Sequence, residues 1–133
     1  MPDIEKTREL QKKIMQDIAA GSLIPVMRIG DELGLFKKLF KFGPCTYTNF
    51  SKKINLDERY IKEWLLSLSA SGYISYEEKK KHFFLTPEQF AILGDENSDS
   101  LMIGGFENLT GAVHNIEKIK ENFKNGGGTD WGA

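Results

Sequence analysis

The chain has little cysteine and histidine, no long apolar run and almost no net charge. Each shortage excludes something. A single cysteine, Cys45, can form no intramolecular disulfide and no cysteine-rich metal site. The two histidines, His82 and His114, are far apart in sequence and lack metal-ligand spacing; a surface role is expected for His82, while His114 lies off its helix's apolar stripe and is free to face a cleft or water. No stretch approaches the roughly 20 apolar residues of a membrane-spanning helix. The start, "MPDIEKTREL", is charged and has no apolar centre like that of a signal peptide, which makes a cytoplasmic chain the expectation. With a net charge of -1, no global field draws the chain to nucleic acid or to an anionic membrane.

The rest of the composition is that of a globular domain, 40% hydrophobic and 28% charged over 133 residues. A chain of this size buries roughly two-thirds of its unfolded surface, enough for one core. Leu10, Ile14 and Ile18 recur every four residues among Lys, Arg and Glu, and predict a helix from Asp3 to Ala20. A second helix is expected after Gly21, with Ser22 as its N-cap and Gly34 at its end. Its apolar residues lie all round it, which predicts burial on nearly every side. Leu35, Phe36, Leu39 and Phe40 read as a short apolar turn.

After the turn "FGPCT", Thr46 caps a short helix to Ile54, Asn55 suits a left-handed corner and Asp57 caps the next helix. The stripe Tyr60, Ile61, Trp64, Leu65 and Leu68 runs along that helix to Gly72. The period then changes. Tyr73 to Tyr76 and His82 to Leu85 predict two strands around the polar tip Glu77 to Lys81. Thr86-Pro87 opens a short helix to Leu93. A last helix is expected from Ser100 to Asn125, with the stripe Phe106, Leu109, Val113, Ile116, Ile119 and Phe123.

Helix, turn, helix and two-stranded hairpin, in that order, predict a mainly α winged helix-turn-helix. Extra helices at either end are expected to form a dimer interface. The reading divides the chain into a winged-helix dimerisation domain over residues 1–125 and a glycine-rich linker over residues 126–133. Leu23, Ile24, Met27, Ile29 and Leu33 exceed what one small core can bury, and are the residues expected at the contact of a homodimer.

Several motifs resolve into bland readings. The helix that would enter a DNA groove begins with Asp57, Glu58 and Glu63 against Arg59 and Lys62, and carboxylates facing phosphates cost affinity. Nucleic acid is therefore not the expected partner. A winged-helix transcription regulator, using Lys52, Lys53 and Lys79 to Lys81 as phosphate contacts, is the alternative. "GGGTDWG" follows a polar helix end rather than a strand, so it is not a nucleotide-binding fingerprint. Cys45 has no nearby histidine to activate it and reads as an idle thiol. No catalytic constellation, cofactor site or metal site is argued from these residues.

The stretch "ERYIKEWLLSLSASGYISY", Glu58 to Tyr76, followed by "LTPEQFAIL", "GGF" and "GGG", resembles the N-terminal winged-helix domain of a family of class I S-adenosylmethionine-dependent methyltransferases. The similarity runs from about Ile14 to Trp131. It implies a domain that dimerises and closes over a substrate pocket, without activity alone. S-adenosylmethionine binding is implied for a Rossmann-like domain that should follow the linker and is absent from this chain. Where the family has Tyr or Pro-Tyr after the glycines, this chain has Asp130-Trp131. By the same analogy the last helix lines the pocket, with Phe106, Leu109 and His114 as the candidate residues. Pairing with a full-length methyltransferase paralogue is a further partner the resemblance implies.

Overall fold

The structure, a computed structural model, describes residues 1–128; the Asp130-Trp131 pair lies outside the described residues. Among the described residues the order is α1 (Ile4–Gly21), α2 (Leu23–Glu32), α3 (Leu35–Phe42), α4 (Tyr47–Ile54), α5 (Glu58–Ala70), β1 (Ser75–Glu77), β2 (His82–Phe84), α6 (Pro87–Leu93), α7 (Gly104–His114) and α8 (Ile116–Asn125). This is a mainly helical winged helix-turn-helix with one small antiparallel hairpin. No helix among the described residues is long and apolar enough to cross a membrane.

Local side-chain chemistry sets most boundaries. The side chains of Asp3, Thr46 and Asp57 accept hydrogen bonds from the first-turn backbone N–H groups of Lys6, Asn49 and Tyr60, and so start α1, α4 and α5. Thr86 and Gln89 cap α6 reciprocally, each side chain bonding the other's backbone N–H. Asn55 adopts the left-handed conformation that turns α4 into α5, at φ 56 and ψ 48. Gly34, at φ 66, makes the corner between α2 and α3.

Some expectations need correction. Ser22 is helical and makes no side-chain cap; its Oγ donates to the Ala19 carbonyl instead, which joins α1 to α2 with barely a break. Leu35 to Phe42 is a helix of two turns rather than a turn, because its apolar residues lie on one face and three of them reach the core. The last helix is interrupted at Asn115, which divides it into α7 and α8. The second helix is not buried all round: only Met27 and Gly30 of α2 are enclosed, while Ile29 and Leu33 stay exposed.

One core joins these elements, and α5 contributes most to it through Ile61, Trp64, Leu65 and Leu68. The wing pairs Ser75 with Phe84, Tyr76 with Phe83 and Glu77 with His82. Cys45 adds a bridge on the far side of Phe83: its N–H donates to the Phe83 carbonyl at 3.1 Å, and Phe83 N–H donates back at 2.7 Å. The segment before α4 thereby ties the wing to the helical core.

The backbone of α2 comes close to two aromatic rings, one from α3 and one from α5. Gly30 lies against Trp64 and Phe36, and a Cβ placed there would come within 2.7 Å of both rings. The two rings are themselves packed, with centroids 5.2 Å apart. Trp64 Nε1–H donates to the Val26 carbonyl at 3.0 Å, so the indole fastens the same helix twice. Gly30→Ala is therefore expected to cost about 1–3 kcal/mol through overpacking. Gly21→Ala, where an added Cβ meets nothing within 4 Å, should leave stability unchanged or raise it. Urea unfolding of both variants checks this, and a Gly30→Ala protein as stable as the parent contradicts the packing.

Candidate functional site

Helix α7 is bordered by two open grooves. Tyr73, Ile92, Leu93, Met102, Gly105, Phe106 and Leu109 line the first, a concavity of about 450 Å³. Its position follows from local structure. Tyr73 stands where the chain leaves α5 for the wing, Ile92 and Leu93 end α6, and Met102 N–H donates to the Ile92 carbonyl at 2.9 Å. Gly21, Ile24, Pro25, Thr110, Val113 and His114 line the second groove, of about 430 Å³.

Of the three residues expected in a substrate pocket, Phe106 and Leu109 share the first groove, while His114 lines the second. The geometry is helical: positions 106 and 109 lie one turn apart, whereas 114 has rotated away from them. Sequence reasoning missed Tyr73, Ile92 and Met102. The only signal was that each is an apolar or aromatic side chain outside the core stripe of its own segment. The first groove can hold an apolar body. It has one polar side-chain group, the Tyr73 phenol, and no acid, base or nucleophile beside it.

The residues expected at a dimer contact also separate. Met27 is 0% exposed within the single chain's own core and has no surface to offer a partner, which corrects its place in that set. Leu23 is half-buried against the core, Ile24 lines the second groove, and Ile29 and Leu33 are exposed. More apolar surface lies on the terminal helices. No residue of α1 or α8 is buried. Ile14 and Ile18 are 50% and 65% exposed on α1, and Phe123 is 88% exposed on α8.

The face that reads DNA in other winged helices is here largely carboxylate and tyrosine. Asp57 spends its side chain on capping α5, and Tyr60 stands 76% exposed one turn on. Lys62 lies 5.2 Å over the Tyr47 ring, an intramolecular cation–π contact. In the wing tip, Glu77 accepts from the backbone N–H groups of Lys79 and Lys80. Among the described residues no group of three His, Cys, Asp or Glu side chains could hold a metal ion. Gly126–Gly128 follow α8 rather than a strand. Burial pushes the Cys45 thiol up to about 11, the opposite of what a nucleophile requires.

The sequence pattern of the Rv2258c-like winged HTH domain matches residues 21–94. The chain belongs to this family. No curated protein sequence matches it. Among solved structures it is similar to PigF with SAH, at 13% identity and a TM-score of 0.67 over 86% of this chain and 33% of that one. It is also similar to CalO1, a methyltransferase in calicheamicin biosynthesis in its SAH-bound form, at 18% identity and a TM-score of 0.53 over 80% and 29%. An O-methyltransferase family protein from Burkholderia thailandensis aligns at 15% identity and a TM-score of 0.54 over 92% and 33%. At such identities the likeness is one of fold. This Rv2258c-like winged HTH domain spans about a third of the length of the structures it matches.

Cys45 provides a test of the winged domain's closure. A raised thiol pKa favours the neutral form in the folded state. Its contribution to stability is therefore complete below the ordinary value of 9.0 and is lost as pH rises towards about 11. Iodoacetamide at mildly alkaline pH should leave Cys45 unmodified until the chain is unfolded. Rapid alkylation of the folded protein would contradict the enclosed position.

Proposed function

We propose that this chain is the dimerising, substrate-capping winged-helix unit of an S-adenosylmethionine-dependent methyltransferase acting on a small molecule. In this reading residues 1–125 are the unit and residues 126–133 lead toward a catalytic domain that binds the donor. The chain itself contributes shape and apolar surface rather than turnover. The fold it shares with methyltransferases supports the assignment, as does its span of about a third of their length.

The observation that carries the reading is the apolar face of α1. An isolated helix of this length is marginal in water, and its stability normally comes from packing an amphipathic face. Here 18 residues form a helix with none of them buried, and Leu10, Ile14 and Ile18 are all exposed along one row. Covering each half-exposed aliphatic side chain returns on the order of 1 kcal/mol. A second copy of the chain, offering the same row across a two-fold axis, is the economical cover. The groove of Tyr73, Met102, Phe106 and Leu109 would then face the acceptor, its apolar lining suited to an apolar or aromatic body.

Light scattering is expected to give twice the 15.1 kDa mass of the chain. The double variant Ile14→Glu/Ile18→Glu should halve that mass while leaving the helical circular dichroism of the core in place. A parent chain of single mass at high concentration, or a variant of unchanged double mass, would overturn the assignment.

A further inference from the structure

A third concavity lies on another face of the molecule, where the C-terminal ends of α3 and α4 meet. Lys38, Lys41, Phe42, Lys53 and Ile54 line it, and no carboxylate is among them. Its volume is about 570 Å³. The bland reading is that Lys41 and Lys53 merely offset the negative ends of their own helices, since each stands in a last turn. The charge balance goes further than that. Two helix C-termini carry about half a negative charge each, against three lysines, which leaves roughly two positive charges in excess. Among the described residues Lys41 and Lys53 enter no ion pair, and Lys38 donates only to the Leu33 carbonyl. The floor is apolar: Phe42 is exposed beside the half-buried Ile54.

We infer that this groove seats an acidic peptide segment that carries an apolar or aromatic anchor. The lysines meet the carboxylates, and the anchor lies on Phe42 and Ile54. Charge complementarity selects an anionic occupant. Two features favour a peptide over nucleic acid. The apolar floor has nothing to offer a phosphate backbone, and the neighbouring start of α5 presents Asp57 and Glu58, which repel one. The inference concerns a surface separate from α1 and stands whether or not the chain dimerises.

The test is fluorescence anisotropy on the full chain with a labelled peptide of glutamates flanking a central phenylalanine. The peptide should bind, and more weakly as salt rises. The variant Lys41→Glu/Lys53→Glu should weaken it by about tenfold or more, because it reverses two charges at the seat. Lys79→Glu/Lys80→Glu, at the wing tip, should leave it unchanged. All four lysines are exposed, so circular dichroism should be the same for parent and variants. Replacing the peptide's phenylalanine with glycine should also weaken binding. Failure of the peptide to bind at low salt, or equal affinity for the Lys41/Lys53 variant, overturns the inference. So does a duplex DNA probe that binds more tightly than the peptide and through the same two lysines.

Discussion

Gly30 lets the backbone of α2 touch two aromatic rings, and the rest of the molecule is arranged around that contact. Phe36 comes from α3 and Trp64 from α5, so one glycine brings three helices to a single point. The Trp64–Val26 hydrogen bond then removes the freedom to slide or rotate that an apolar contact alone would leave. With α2 fixed in this way, α1 continues from it almost directly, and α7 packs against its other side. The second groove, which Ile24 and Pro25 of α2 line together with α7, lies beside this anchored helix.

The molecule therefore has two parts with different requirements. The part from α2 to α6 supplies nearly all of the buried core, and even the cysteine of its edge is buried. The terminal helices enclose nothing of their own. A winged helix whose reading helix opens with carboxylates, and whose outer helices expose apolar rows, has the shape of a DNA reader and the surface chemistry of a protein partner. That combination is poorly suited to a search along phosphates.

What was legible in the sequence was chiefly local. Thr46, Asp57 and Thr86 cap helices because their side chains reach backbone groups only three residues away, and Asn55 turns because of its own backbone preference. The hairpin was legible from the change of period, and its register is local too. What depended on distant contacts was not legible. Met27 looked like spare apolar surface because nothing near it in sequence reveals that the folded core encloses it. The Cys45–Phe83 bridge joins residues 38 apart, and the indole bond of Trp64 spans the same separation. At the candidate site, Phe106 and Leu109 could be read from one helical face. Tyr73, Ile92 and Met102 come from three other segments, which only the folded chain brings together.

In the proposed dimer a second molecule covers α1, whereas the core is enclosed within one chain. Amide hydrogen exchange at two protein concentrations tests that division most directly. Protection over Ile4–Gly21 should rise with concentration, while protection in α3 and α5 should not change. If α1 exchanges at the same rate at both concentrations, with no change elsewhere on the terminal helices, its apolar face has no partner of its own kind and the account fails.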